Sequence, residues 1–121
     1  MKLRIAINGY GRIGRNVTRA IYESGYNDRI QLVAINDLAP VEANAHLTRF
    51  DTVHGRFNTE VAVEGENLVI GGDTVKVCQE RNPAALPWGE LEVDLVLECT
   101  GLFTGKEAAS QHMQAGAKAV L

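Results

Sequence analysis

The feature that most constrains the fold is a glycine-rich turn between two apolar segments of different periodicity. Glycines stand at positions 9, 11 and 14, which gives the pattern G-x-G-x-x-G. The apolar run at residues 2–8 predicts a buried strand, and the apolar positions after the turn have helical spacing as far as Gly25. A second, β-branched run at residues 30–35 predicts another strand. Together these segments predict a βαβ unit with a right-handed crossover.

Each glycine of the turn has a physical role in this interpretation. Gly9 allows a tight turn, Gly11 lets a pyrophosphate approach the backbone, and Gly14 lets the helix pack closely on the strand. The helix N-terminus presents unpaired N–H groups and a partial positive charge to the phosphates. The alternative is a plain glycine turn, which the complete strand–turn–helix–strand context makes the weaker interpretation.

Asp37 follows the second strand, 23 residues after Gly14. This is close to the position where dinucleotide-binding turns place a carboxylate for the adenosine ribose hydroxyls. A carboxylate there repels a 2′-phosphate, so the sequence favours NAD over NADP. In the alternative interpretation Asp37 only caps the turn at residues 38–40, and Asn36 is as suited to local capping as to ligand contact.

Two further positions are candidates for the same site. Arg81, in the loop after residues 59–78, either flanks an adenine or is a solvated surface side chain, and the sequence does not choose between them. Thr100 and Gly101 end a third apolar strand. Because ligands of open α/β sheets bind beyond the carboxyl ends of the strands, we expect these two residues to face the ligand.

The rest of the chain completes an α/β pattern. Pro40 is suited to open a helix over 41–50 with Ala43, Leu47 and Phe50 on one apolar side. Residues 59–78 alternate apolar and polar positions between glycine turns, which predicts a small antiparallel meander. A strand at 94–100, a helix at 106–115 and a strand from 117 follow. The predicted fold is therefore α/β, a Rossmann-type doubly wound parallel sheet with a meander insertion, in one domain over residues 1–121.

Composition excludes several classes of function. The chain has 12 Lys and Arg against 15 Asp and Glu, a net charge of −3, and 45% hydrophobic residues. This is ordinary globular composition without an electrostatic reason to bind nucleic acid or an anionic membrane. No apolar run approaches the ~20 residues of a membrane span, and the N-terminus lacks a signal-peptide pattern. We expect a cytoplasmic protein that contacts neither nucleic acid nor membrane.

The cysteines and histidines give no nucleophile or metal site. Cys99 lies within a strand expected to be buried on both faces, where cysteine is usually a small hydrophobe, and Cys78 is a weaker candidate still. His46, His54 and His112 lie in separate elements without metal-ligand spacing. His54, in a polar loop, has a structural or subunit-contact role as its main alternative. Trp88 is expected to pack rather than to stack on a base.

Five motifs in order resemble phosphorylating glyceraldehyde-3-phosphate dehydrogenase. They are IAINGYGRIGR at residues 5–15, VAINDL at 33–38, DTVHGRF at 51–57, LPW at 86–88 and ECTGLF at 98–103. The sister family, erythrose-4-phosphate dehydrogenase, shares most of them. That family often has Glu at the position of Asp37 and Tyr at the position of Phe103, so both residues favour the first family.

The resemblance implies a glycolytic, homotetrameric oxidoreductase that uses NAD. It places Gly9, Arg12 and Ile13 at the pyrophosphate and Asp37 at the adenosine ribose. It also places Thr100 and Gly101 on the path to the nicotinamide, with Phe103 beside it. The full predicted cofactor site consists of Asn8, Gly9, Gly11, Arg12, Ile13, Gly14, Asn36, Asp37, Arg81, Thr100, Gly101 and Phe103.

The resemblance also implies that the reaction needs residues outside this chain. In the family, a cysteine thiolate attacks the aldehyde of glyceraldehyde 3-phosphate, a histidine acts as base, and phosphate releases 1,3-bisphosphoglycerate from a thioester. No Ser-Cys-Thr-Thr-Asn-type motif occurs here, so both catalytic residues are expected beyond residue 121. The chain alone is then an incomplete NAD-binding domain without activity. The remaining alternatives are erythrose-4-phosphate dehydrogenase and a stand-alone regulatory nucleotide-binding module. The regulatory module would need neither the meander nor the 51–57 loop.

Overall fold

The computed structural model describes residues 2–51, 55–56, 60–100 and 105–121. Its strands are β1 (Leu3–Asn8), β2 (Ile30–Asn36), β3 (Phe50–Asp51), β4 (Gly55–Arg56), β5 (Val61–Glu64), β6 (Asn67–Ile70), β7 (Asp73–Cys78), β8 (Leu95–Glu98) and β9 (Ala119–Val120). Its α-helices are α1 (Arg12–Glu23), α2 (Val41–Arg49) and α3 (Gly105–Gln114), and short 3₁₀ turns occur at Tyr26–Asp28 and Pro83–Ala85.

Seven of the described strands form one sheet in the order β5-β6-β7-β2-β1-β8-β9, and β3 and β4 form a separate antiparallel pair. The pairings β7–β2, β2–β1, β1–β8 and β8–β9 are parallel, and the pairings β5–β6 and β6–β7 are antiparallel. The predicted α/β class is confirmed, and so is the meander. The meander does not stand apart from the parallel sheet, because β7 pairs directly with β2.

Both faces of the sheet are buried, as a doubly wound fold requires. Successive side chains of a strand point to opposite faces, so Ile5 and Ile7 belong to one apolar cluster and Ala6 to the other. Tyr10 and Ile21 join the first cluster, on the side of α1. The second cluster contains the fully buried Trp88, whose loop packs against the end of α3. This two-sided burial fixes the strand ends that form the site described below.

Helix α2 packs with a different side than its apolar residues indicate. Leu47 and Phe50 remain 38% and 47% exposed, so the side of α2 that also carries Ala43 is not its buried side. Thr48 can be buried on the opposite side because its hydroxyl is hydrogen-bonded. The Thr48 hydroxyl contacts the Tyr10 hydroxyl at 2.6 Å and the Asn44 carbonyl at 2.7 Å. The buried positions of α2 are Val41, Asn44, Ala45 and Thr48.

Within the part of the chain that the structure describes, none of the helices has the length and apolar character needed to cross a membrane.

Candidate functional site

A cavity of about 490 Å³ lies at the carboxyl ends of four neighbouring strands. Residues at or just after the ends of β1, β2, β7 and β8 form its wall, which is where ligands bind in open α/β sheets. The lining residues are Asn8, Gly9, Gly11, Asn36, Asp37, Leu38, Glu80, Arg81, Cys99 and Thr100. The sheet order therefore brings together predicted site residues that are up to 92 positions apart in the sequence.

The geometry of the turn requires glycine at positions 9 and 14. Gly9 has φ +90°, and a Cβ there would lie 2.7 Å from the backbone nitrogen of Thr100. A Cβ at Gly14 would lie 2.9 Å from the Gly9 carbonyl oxygen, so the helix can approach the strand only with glycine at this position. A Cβ at Gly11 would meet no protein atom within 4 Å. Because Gly11 lines the cavity, this open space lets a ligand approach the protein backbone closely.

Helix α1 begins next to the cavity without a capping side chain. Gly11 is its N-cap residue, no side chain hydrogen-bonds there, and the first turn has no acidic residue. The first N–H groups of a helix have no partner within the helix, so an anion can accept from them. The predicted residues Arg12, Ile13 and Gly14 form this first turn beside the cavity, and Ile13 is 67% exposed.

Asp37 makes the turn cap of the alternative interpretation and also remains at the cavity wall. One carboxylate oxygen accepts from the Tyr10 N–H at 3.1 Å, and the other accepts from the Ala39 N–H at 3.0 Å. The second contact is the predicted turn cap. Asp37 also lines the cavity, and a carboxylate that accepts two hydrogen bonds retains acceptor capacity for hydroxyl groups.

Asn36 has a mainly structural set of contacts. Its amide donates to Asn8 Oδ1 at 2.7 Å and to the Glu80 carbonyl at 2.8 Å, and its Oδ1 accepts from the Glu80 N–H at 2.9 Å. The side chain therefore ties β2 to β1 and to the segment after β7. Arg81 follows Glu80 as an exposed residue at the cavity wall. A direct contact of Asn36 or Arg81 with a ligand stays a prediction.

A hydrogen-bond network around Glu98 is the part of the site that no sequence pattern indicates. Its Oε1 accepts from Asn8 Nδ2 at 2.7 Å and lies 2.8 Å from His112 Nε2. Its Oε2 accepts from the Thr100 N–H at 3.0 Å and from the Thr100 hydroxyl at 2.6 Å. Burial alone would raise the pKa of Glu98, but the hydrogen bonds from His112, Thr100 and Asn8 lower it to about 2. The carboxylate is therefore charged throughout the neutral range.

His112 connects this carboxylate to Trp88. The indole N–H of Trp88 donates to His112 Nδ1 at 2.9 Å, and both side chains are fully buried. Packing is confirmed for Trp88. Helix α3 turns His112 inward against β8, a burial that no sequence pattern indicates. A buried tryptophan needs a hydrogen-bond acceptor, but the sequence does not say which residue supplies it.

Cys99 is placed differently than expected. Strand β8 ends at Glu98, so Cys99 lies just past it, half-buried at the cavity wall rather than buried on both faces. Burial and the nearby Glu98 charge raise the pKa of the Cys99 thiol, and burial also raises the pKa of Cys78. Both thiols are therefore protonated near neutral pH, which argues against a nucleophilic role.

Those of the remaining predicted residues that the structure describes form no second centre. Gly101, Phe103 and His54 lie outside the described residues. His46 is exposed on α2, with its ring 5.1 Å from that of Phe50. In the described ranges, no group of three His, Cys, Asp or Glu side chains is arranged to hold a metal ion.

The family described as "Glyceraldehyde 3-phosphate dehydrogenase, NAD binding domain" matches residues 3–106. The chain belongs to this family. Its cofactor is accordingly NAD, and the cavity beside the glycine turn has the residues to receive it: the open space at Gly11, the uncapped start of α1 and the Asp37 carboxylate.

Curated relatives agree with the family match over the whole chain. The chromosomal glyceraldehyde-3-phosphate dehydrogenase of Cupriavidus necator is 60% identical over 121 residues, which are 100% of this chain and 36% of that protein. The proteins of the same name from Xanthobacter flavus and Pseudomonas aeruginosa are 60% and 55% identical over the same shares. The chain thus spans about a third of the length of these relatives.

Proposed function

We propose that residues 1–121 are the NAD-binding unit of a phosphorylating glyceraldehyde-3-phosphate dehydrogenase, a cytoplasmic homotetramer. The observation that carries the proposal is the cavity between the glycine turn and Asp37, in a chain 60% identical along its whole length to a protein of that name. The substrate is a phosphorylated aldehyde, and the whole protein converts glyceraldehyde 3-phosphate, NAD and phosphate to 1,3-bisphosphoglycerate and NADH.

The order of the strand ends supports the following arrangement of NAD in this proposal. Asp37, after β2, accepts the hydroxyl groups of the adenosine ribose, and Arg81, after β7, flanks the adenine. The pyrophosphate lies on the Gly9–Gly11 backbone and the start of α1, where the N–H groups point outward. The nicotinamide end then lies toward β8, at Thr100 and the predicted residues Gly101 and Phe103.

The residues of this chain bind and orient the cofactor. NAD, when bound, accepts the hydride that leaves the aldehyde carbon. In this proposal the nucleophilic thiolate and the base lie outside residues 1–121. The raised pKa values of the Cys99 and Cys78 thiols argue against either of them as the nucleophile. Asp37 excludes a 2′-phosphate by charge repulsion.

A spectrophotometric assay of the whole protein that carries this chain tests the proposal. We expect NADH to form with glyceraldehyde 3-phosphate, NAD and phosphate, and to form much more slowly when phosphate is omitted. Activity with erythrose 4-phosphate but not with glyceraldehyde 3-phosphate would assign the protein to the sister family. NAD binding without turnover of either aldehyde would favour a regulatory nucleotide-binding module.

The 121-residue chain by itself supplies a second test. We expect no NADH formation from it under the same conditions, because the thiolate and the base are absent. Turnover by the short chain would contradict the placement of both catalytic residues outside it.

A further inference from the structure

The carboxylate of Glu98 is surrounded by donors whose directions are fixed from elsewhere. An indole N–H can only donate, so Trp88 requires His112 Nδ1 to be an acceptor, and the proton of the neutral imidazole sits on Nε2, facing Glu98. The Asn8 amide is oriented in the same way. Its Oδ1 accepts from Asn36, which leaves Nδ2 to donate to Glu98.

These fixed donors hold one oxygen of Glu98 and so aim the other. The second oxygen accepts both the backbone N–H and the hydroxyl of Thr100, and Thr100 lines the cavity. Thr100 also lies against Gly9, where there is no room even for a Cβ. Glu98 thereby connects to the glycine turn through Thr100.

We propose that Glu98 is a positioning residue for the nicotinamide half of NAD, acting through Thr100. The inference rests on the proposed function, because it takes the adenosine end to lie at Asp37. Given that placement, the strand order β2-β1-β8 puts the pyrophosphate at the turn of β1 and the other half of the cofactor at β8. Glu98 does not touch the cofactor, and its effect is confined to the β8 side of the cavity.

An amide cannot replace this carboxylate. All four contacts donate to Glu98, so the NH₂ group of Glu98→Gln must face a donor in either orientation. Turned one way it opposes the Thr100 N–H, and turned the other way it opposes Asn8 and His112. Asp94→Asn is the matched control, because Asp94 precedes β8 at its other end, accepts from the Arg4 N–H at 3.0 Å and does not line the cavity.

Calorimetric titration of the whole protein with NAD and with ADP tests the inference. ADP carries the adenosine and the diphosphate but no nicotinamide. We expect Glu98→Gln to weaken NAD binding about tenfold, as the loss of charge-assisted hydrogen bonds implies, and to leave ADP binding within about twofold. Asp94→Asn should change neither affinity, whereas Asp37→Ala should weaken both.

Equal weakening of NAD and ADP by Glu98→Gln would mean that Glu98 only supports the fold, and unchanged NAD affinity would mean that it positions nothing; either result overturns the inference. Should Glu98→Gln fail to fold, Thr100→Val removes only the hydroxyl donor, and the same selective loss of NAD affinity is expected. The unsubstituted protein decides the proposed function separately, since failure to bind NAD at all would contradict that function before any variant is compared.

Discussion

The two ends of the cavity are built by different means. At the β2 end, backbone groups form most of the wall: the glycine turn, the first N–H groups of α1, and an Asp37 carboxylate held by two backbone N–H groups. At the β8 end, side chains form it, through the hydrogen-bonded series Trp88–His112–Glu98–Thr100. The first construction depends on backbone conformation, whereas the second depends on the charge of one carboxylate and the tautomer of one imidazole.

The largest expected effect comes from the point where both ends meet. Gly9→Ala places a Cβ at φ +90° and 2.7 Å from Thr100, so it strains the backbone and separates β1 from β8. We expect a loss of about 4 kcal/mol in the free energy of unfolding, measured by urea denaturation, together with loss of NAD binding.

Gly25→Ala separates the effect of backbone strain from the effect of a steric clash. Gly25 also has positive φ, +76°, but a Cβ there meets no atom within 4 Å. This variant should lose only about 1 kcal/mol and keep its NAD affinity. Equal destabilisation by the two variants would mean that the contact with Thr100 is unimportant.

The β8 end should respond to pH. The folded protein holds the pKa of Glu98 at about 2, against an ordinary value of 4.5, so its contribution is complete above about pH 5 and is lost as pH falls toward 2. The shift corresponds to about 3 kcal/mol. Unfolding free energies measured between pH 6 and 2.5 should fall with a steeper slope in the unsubstituted protein than in Glu98→Gln.

Asp94→Asn again serves as the comparison. The backbone N–H of Arg4 and the Lys118 side chain lower the pKa of Asp94. Its side chain is 27% exposed, compared with 9% for Glu98, so solvent screens the effect. The slope should therefore change less in this variant, and an equal change would argue against a special role for the buried carboxylate.

The β2 end should respond to cofactor charge instead. Asp37→Ala removes the proposed acceptor for the ribose hydroxyls and, with it, the proposed repulsion of a 2′-phosphate. We expect NAD affinity to fall about tenfold and the preference for NAD over NADP to shrink, measured by fluorescence titration with both nucleotides. Stability should fall by only about 1 kcal/mol, since the carboxylate also caps the turn at Ala39. Unchanged affinities for both nucleotides would contradict the ribose role.

This difference between the two ends also explains what could be predicted from the sequence. The glycines, α1 and Asp37 lie within residues 9–37, and their geometry follows from local rules of spacing and backbone conformation. The alternation of apolar and polar residues at 59–78 likewise predicts a meander from local information. That these positions meet at one site then needs only the rule that parallel strands place their carboxyl ends at one edge.

The β8 end could not be predicted in this way. Glu98, His112 and Trp88 meet only because α3 packs on the sheet, and no spacing rule relates positions 88, 98 and 112. The same limit applies to α2. The apolar Leu47 and Phe50 predict that their side of the helix is buried, whereas the buried side carries Thr48, which is hydrogen-bonded to Tyr10. The periodicity of hydrophobic residues does not predict buried polar groups, because hydrogen-bond partners far away in the sequence stabilise their burial.

The smallest expected effect is at Cys99, which lies between Glu98 and Thr100 without joining their network. Its thiol is protonated near neutral pH and only borders the cavity, so Cys99→Ser should leave the dehydrogenase activity of the whole protein within a few-fold. Cys78→Ser, which lies outside the cavity lining, should change activity even less. Near-total loss of activity in Cys99→Ser alone, with NAD affinity retained, would instead make Cys99 the nucleophile. It would then follow that the β8 end carries the chemistry itself as well as positioning the cofactor for it.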